Sequence, residues 1–406
     1  MNSVESGRPR SASRPRIAVI GAGAFGGWTA LHLVRAGAEV VLLDAWGAGN
    51  PRSSSGGETR VIRAVYGPDP VYVELVRRAW PHWEALARGT GERLYVETGA
   101  LWMNRGDDSY VRSSLPIVQD FGFSVEELTV SESSRRYPQI DFSDVESVFL
   151  EHKAGALFAR LACRTVLDEF ERAEGEFRVG YVESVPPLGA PLDCLNLSDG
   201  SRIEADGFVF ACGPWLGRIF PDVIGDGVRP TRQEVFYFGT PAGQSLYAAD
   251  RFPVWIEFGE RIFYGIPDVN GQGFKVADDT RGEIIDPTGG DRSAGADGIR
   301  RARSLLEHRF PGLASAPLLK TEVCQYENSP DGHLIIDRHP GAANVWLVGG
   351  GSGHGFKLSP AVGELVSDAI LTASHPPEVF HVARLRNATG TSTQFERKPA
   401  APPQPR

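Results

Sequence analysis

No stretch of the 406 residues is apolar for long enough to span a bilayer. The first fifteen carry Arg8, Arg10 and Arg14 among serine, proline and glycine, and lack the apolar core of a secretory signal. These absences predict a cytoplasmic protein with no membrane partner and a flexible tail over residues 1–15. Cysteine is scarce: Cys163, Cys194, Cys212 and Cys324 lie far apart with no Cys-x-x-Cys pair, which points away from a zinc module or a disulfide framework. His333, Asp337 and His339 have the side chains for a metal but match no usual spacing, so no metal is expected. An excess of positive charge is also missing: 42 basic against 51 acidic residues leave a net charge of −9, which offers no nucleic-acid surface. The rest of the composition is that of a globular enzyme whose length calls for two domains.

What is present is clearest from Arg16 to Asp44. Ile17 to Ile20 is a short apolar run that stops at Gly21-Ala22-Gly23-Ala24-Phe25-Gly26. Trp28 to Ala36 has helical character, and Val40 to Leu43 is a second apolar run closing on Asp44. That is strand, tight turn, helix, strand, with the glycine spacing of a dinucleotide site. Gly21 permits the turn, Gly23 lets backbone approach a pyrophosphate, and Gly26 lets the helix lie close to the strand. A diphosphate would face the helix N-terminus, where free N–H groups and the helix dipole favour negative charge. Asp44 would accept hydrogen bonds from ribose hydroxyls.

Further along, Ser53 to Arg60 is rich in groups that can bind phosphate or ribose, Ser54 and Arg60 among them, and reads equally as a surface loop. Arg63 stands among apolar residues and needs an anionic partner if buried. Helical spacing runs from Tyr72 to Leu86, with a break or kink expected near Trp80 because of Pro81. Strands are expected near Leu94–Met103, Ser124–Val130 and Asp141–Glu151, and a helix opening at Gly155. Short strands follow at Phe177–Val182, Leu195–Leu197 and Arg202–Ile203, then a buried one from Gly207 to Cys212 that ends in Gly213-Pro214-Trp215. From Arg229 to Thr280 the chain is strand-like and densely aromatic, which suits a sheet core or a pocket wall. A helix is expected over residues 295–309. A last buried strand, Asn344–Val348, runs into Gly349–Lys357, and a helix over Leu358–Leu371 follows. The end, residues 386–406, reads as a flexible tail.

The start of the chain, the GETRVIRAVYG stretch at Gly57–Gly67, the EVCQYENSPDGHLIID stretch at Glu322–Asp337 and the GSGHGFK stretch at Gly351–Lys357 together resemble one family. It is the monomeric sarcosine oxidase and N-methyltryptophan oxidase group of the D-amino-acid-oxidase-like flavoproteins, and the resemblance covers about residues 16–385. It implies an α/β fold: a Rossmann-like FAD-binding domain with an inserted, mainly antiparallel β substrate domain. The pieces would be 16–88, 150–218 and 322–385 for the FAD-binding domain, and 89–149 with 219–321 for the substrate domain. It also implies an FAD-dependent oxidoreductase acting on CH–NH or CH–NH2 donors. Such an enzyme oxidises a small-molecule amine or amino acid to an imine while oxygen becomes hydrogen peroxide, in a monomer or small homo-oligomer.

Residue by residue, the resemblance makes Cys324 the site of a covalent thioether to the flavin and Lys275 the ammonium that promotes reaction with oxygen. Arg63 and Lys357 become the pair that holds the substrate carboxylate, with His354 shaping the pocket and Tyr264 and Tyr326 among its walls. Gly213, Trp215, Gly351, Gly353, His354, Gly355 and Lys357 complete the expected cofactor surroundings. Departures bear on the substrate. Where sarcosine enzymes have tyrosine then histidine after the oxygen-activating lysine, this chain has Asp278-Asp279, which puts negative charge near the bound amine. Gly56 replaces a histidine, and Trp255 could narrow the pocket or stack on an aromatic substrate. These changes argue against simple sarcosine turnover. They leave open a tailoring oxidase that desaturates a heterocyclic amine, a dehydrogenase with another acceptor, or a flavin-carrying subunit without its own turnover.

Overall fold

The computed structural model describes residues 14–396 except 183, 184, 186, 244, 270 and 388–392. The expected N-terminal tail falls almost wholly outside that range. Among the described residues no helix is long and apolar enough to cross a membrane.

The Arg16–Asp44 expectation holds: strand Arg16–Ile20, helix Ala24–Arg35 and strand Glu39–Asp44, with the two strands parallel. Four more strands extend this sheet, in the order Ile335–His339, Ala342–Gly349, Gly207–Phe210, Arg16–Ile20, Glu39–Asp44, Glu176–Val179. All neighbours are parallel except the first pair. Its strands therefore come from three separated stretches of chain, and their near-continuous apolar sequences match a sheet covered on both faces. Gly26 closes the unit: a Cβ there would lie 1.8 Å from the Gly21 carbonyl oxygen, so only glycine lets this helix pack on its strand.

An eight-stranded sheet supplies the second layer, ordered Leu318–Asn328, Arg229–Phe238, Phe274–Asp278, Ile262–Ile266, Val254–Phe258, Ala100–Asn104, Ser147–Glu151, Val125–Leu128. It is antiparallel except where Val254–Phe258 meets Ala100–Asn104. This is the expected α/β architecture, a mainly parallel sheet joined to a mainly antiparallel one.

Several local expectations are corrected. Pro81 breaks nothing: one helix runs from Pro70 to Thr90 with Pro81 on its exposed side, because Trp80, Trp83 and Leu86 stay anchored in the core. Gly155–Phe158 is a strand, not a helix start. It is the middle of a three-stranded sheet between Thr59–Ile62 and Tyr95–Glu97, and the helix begins at Ala159. Val130–Arg136 is a helix with a Thr129/Glu132 capping box, and Ser109–Asp120 is a helix the apolar pattern did not show. The C-terminal tail is not uniformly loose: Gln394–Glu396 forms a turn in which Gln394 is buried.

Candidate active site

A groove of about 370 Å³ runs along the carboxyl ends of the parallel strands. Gly21, Gly23 and Asp44 line one end, Gly213 and Trp215 one side, and Ser54, Arg60, Gly351, Gly353 and Gly355 the remainder. Gly26, by contrast, faces the strand rather than the groove. Gly21 has φ +108°, and a Cβ there would meet the Ala211 carbonyl oxygen at 2.3 Å. The Ala24–Arg35 helix has no side-chain cap and no acid in its first turn, so its N-terminal N–H groups point to the groove unneutralised. Asp44 accepts from the backbone N–H of Ala22, Trp46 and Gly47, each at 2.8 Å, and so shapes the loop that a ribose would meet. Burial raises its proton affinity above the ordinary aspartate range.

Glu327, which sequence reasoning missed, is buried in the groove wall beside Gly213 and Gly351, and its Oε2 has no partner. Burial pushes this carboxyl up to about 7. Uncapped helix donors, a glycine cradle and an orphaned buried carboxyl together fit a dinucleotide such as FAD. Glu327 lies within the Glu322–Asp337 stretch, but its role shows only from its position between Tyr326 and Asn328 on a strand ending at the groove.

Cys324 shares a strand face with Tyr326. Its Sγ lies 3.1 Å from an Arg60 guanidinium nitrogen and 3.6 Å from the Ser54 carbonyl oxygen, both residues of the groove wall. Arg60 thus sets positive charge against the sulfur. Gly56 has no room for the histidine of the sarcosine enzymes, since a Cβ would fall 1.9 Å from the Asn50 carbonyl oxygen. Lys275 is 1% exposed, so it is no solvated strand lysine. Its Nζ donates to the Thr59 carbonyl oxygen at 2.9 Å and stands 5.4 Å from the Tyr264 ring. Burial, aided by the Arg60 charge, lowers its pKa to about 7. Tyr264 is pushed up to about 12, chiefly by burial.

Next to the groove, and sharing Arg60, Tyr326, Gly353 and Phe356 with it, is a cavity of about 50 Å³. Arg63 and Lys357 both line it and both are buried. They meet around one ring: Arg63 Cζ is 4.7 Å and Lys357 Nζ 4.9 Å from the Tyr66 centroid. Lys357 donates to the His354 carbonyl oxygen at 3.0 Å, while Arg63 donates to the Val65 carbonyl. The buried carboxyl that bears on Arg63 is Glu151, which acts on it through space, after the Tyr110 and Tyr66 hydroxyls, and not as an ion-pair partner; it accepts from the Ala64 N–H and, at 3.3 Å, from Trp102 Nε1. Burial and then the Arg63 charge depress Lys357 well below an ordinary lysine.

His354 also lines the cavity, but both ring nitrogens are engaged, Nδ1 with the Tyr66 hydroxyl at 3.2 Å and Nε2 with the Gly332 carbonyl at 2.9 Å. Both nitrogens are therefore tied into the cavity wall. Trp255 does not narrow the pocket. It is in the opposite core, 4.9 Å from Phe310, and by strand alternation its neighbour Ile256 takes the pocket side. The Asp278-Asp279 pair splits in the same way: Asp278 pairs with Arg261 at 2.6 Å outside the cavity, and only Asp279 lines it. Gln394 and Phe395 close the cavity, with Phe395 5.5 Å from Arg63 and edge-on to Tyr110 and Phe258.

Comparison with known proteins follows the same lines. Residues 16–369 match the model of the family described as FAD dependent oxidoreductase. The chain is 30% identical over 380 residues to the monomeric sarcosine oxidase of Bacillus sp. (strain B-0618), spanning 91% of this chain and 95% of that one. It is 29% identical over 379 residues to the N-methyl-L-tryptophan oxidase of Yersinia pestis (strain Pestoides F), spanning 91% and 98%. Among solved structures, L-proline dehydrogenase from P. horikoshii shares the fold with a TM-score of 0.80 at 20% identity, over 93% of this chain and 99% of that one.

Proposed function

The chain belongs to the FAD dependent oxidoreductase family, and from that premise we propose that it is an amine oxidase for an amino acid, N-methyl amino acid or cyclic imino acid. The products are an imine and hydrogen peroxide. The observation that carries this reading is the buried meeting of Arg63 and Lys357 at the small cavity. Arg60, Arg63 and Lys357 line that cavity against the single carboxylate of Asp279, so an anionic substrate group is the natural complement. Arg63 grips the substrate carboxylate with its planar fork and Lys357 adds a point charge. Their grip orients the α-carbon toward the groove. FAD, when bound, supplies the two-electron acceptor. Gly21, Gly23 and the helix N-terminus hold its diphosphate, Asp44 its ribose, and Lys275 places a cation where oxygen takes up charge. The FAD-binding region comprises 16–88, 150–218 and 322–385, with 89–149 and 219–321 supplying the substrate side.

The test is an anaerobic screen of N-methylglycine, D- and L-proline, L-pipecolate, N-methyl-L-tryptophan and the common amino acids. Bleaching of the flavin, followed by one peroxide per substrate when air is admitted, supports the reading. A flavin that none of these bleaches overturns it. The cavity holds a small side chain only, with Phe395 as one wall. Phe395→Ala should therefore raise kcat/KM for N-methyl-L-tryptophan relative to N-methylglycine by about tenfold or more.

Cys324 is the site of the flavin link in this reading, with an Arg60 guanidinium nitrogen 3.1 Å from its sulfur. Acid precipitation should leave the parent pellet yellow and release the colour from Cys324→Ser. Colour released from the parent would refute the link.

A further inference from the structure

On the Phe274–Asp278 strand Lys275 and Ala277 share one face, and Asp279 continues it into the small cavity. Asp279 is 6% exposed, and its Oδ1 accepts from the Tyr326 hydroxyl at 2.8 Å. The other groups facing it are Tyr264 on the adjacent strand, Arg63 and Lys357 on the cavity walls, Arg281 two residues on, and Asp278 behind it. One small cavity therefore carries three basic side chains, Arg60, Arg63 and Lys357, and, separately, a buried carboxylate.

That division matches a zwitterion. The carboxylate of an amino acid takes Arg63 and Lys357, which leaves its ammonium for Asp279. Oxidation of a C–N bond draws on the nitrogen lone pair, and near neutral pH that pair is held by a proton. Resting on the reading of the chain as an amino-acid oxidase, we propose that Asp279 is the base that takes the substrate's ammonium proton before the C–N bond is oxidised. The N–H bond breaks, its electron pair stays on nitrogen, and an O–H bond forms on the Asp279 carboxyl. No electrons leave the substrate in this step, and the proton passes to solvent when product departs. Lys275 does not border this cavity, and Lys357 Nζ is taken up with the His354 carbonyl and the substrate carboxylate. Burial raises the proton affinity of Asp279 and narrows its gap to the amine, while Arg281 and the Tyr326 hydroxyl act against this.

The experiment uses the FAD-loaded enzyme and whichever amino or imino acid of the screen bleaches the parent fastest. Anaerobic flavin reduction is followed from about pH 6 to about pH 10.5 for parent, Asp279→Asn and Asp279→Glu. Asp279→Asn should be about a thousandfold slower near pH 7 and gain about tenfold per pH unit, meeting the parent as the free amine forms unaided near pH 10. Asp279→Glu should keep most of the parent rate at neutral pH. Asp279→Asn running parallel to the parent, or unchanged from it, overturns the assignment while leaving the amine-oxidase reading in place. A parent that no compound bleaches removes that reading and this one together. Should Asp279→Asn fail to fold, Tyr326→Phe, which keeps the carboxylate and removes its donor, should raise the acidic inflection of the rate profile. An unmoved inflection there overturns the assignment equally.

Discussion

Replacing Lys275 with methionine should leave anaerobic reduction of the enzyme within a few-fold of the parent and slow its reaction with oxygen by about a hundredfold to a thousandfold. The expectation rests on where this ammonium sits. It is 1% exposed, fixed by the Thr59 carbonyl and set over the Tyr264 ring, so it needs no reorganisation when negative charge arises beside it. Charge developing in a site with little water is stabilised far more by a fixed cation than it would be in bulk. The sign of the pH dependence follows. Burial lowers the Lys275 pKa to about 7, so the ammonium is present below that value and lost above it. The oxygen step of the parent should fall as pH rises through about 7, and Lys275→Met should be slow and flat. Sequential mixing, first with substrate without air and then with oxygen, separates the two steps. A variant that reoxidises as fast as the parent would remove Lys275 from the oxygen reaction.

The parts of this molecule legible in its sequence are those where one residue type is forced by backbone geometry. Gly21, Gly23 and Gly26 announce the first strand, turn and helix because other side chains would collide with the Gly21 or Ala211 carbonyls or crowd the loop. The Gly349–Lys357 loop is legible for a similar reason, with Gly350 and Gly353 at positive φ. Less legible is whatever depends on pairing between distant short segments. Gly155–Phe158 is four apolar residues, a length that suits a buried strand or a helix start alike, and only its partners 58 to 99 residues away decide between them. Trp255 and the Asp278-Asp279 pair are expected near the pocket, yet strand alternation gives Trp255's place to Ile256 and leaves only Asp279 of the pair on the cavity. Gln394 and Phe395 sit in a tail whose composition suggests no packing; a lone phenylalanine among polar residues was the available signal.

The Arg63 position should show the largest loss of substrate binding, and the structure shows how to separate that loss from misfolding. Arg63→Met alone strands the Glu151 carboxylate, which is fully buried and whose proton affinity burial already raises. Leaving a buried carboxylate without the neighbouring cation costs up to about 3–5 kcal/mol, so the single variant is expected to melt below the parent whatever Arg63 does for substrate. Arg63→Met combined with Glu151→Gln removes the stranded charge and keeps an acceptor for the Ala64 N–H. The double variant should recover most of the lost stability and its yellow colour. If Arg63 grips the substrate carboxylate, that recovery does not extend to function: losing a buried, doubly hydrogen-bonded charge contact is worth about 2–5 kcal/mol, or roughly 30-fold to several thousandfold in kcat/KM. Amines lacking a carboxylate should be nearly indifferent to the change. A double variant that is stable, flavin-loaded and as active as the parent on an amino acid would show that Arg63 serves only to neutralise Glu151, and would leave Lys357 alone to bind the anion.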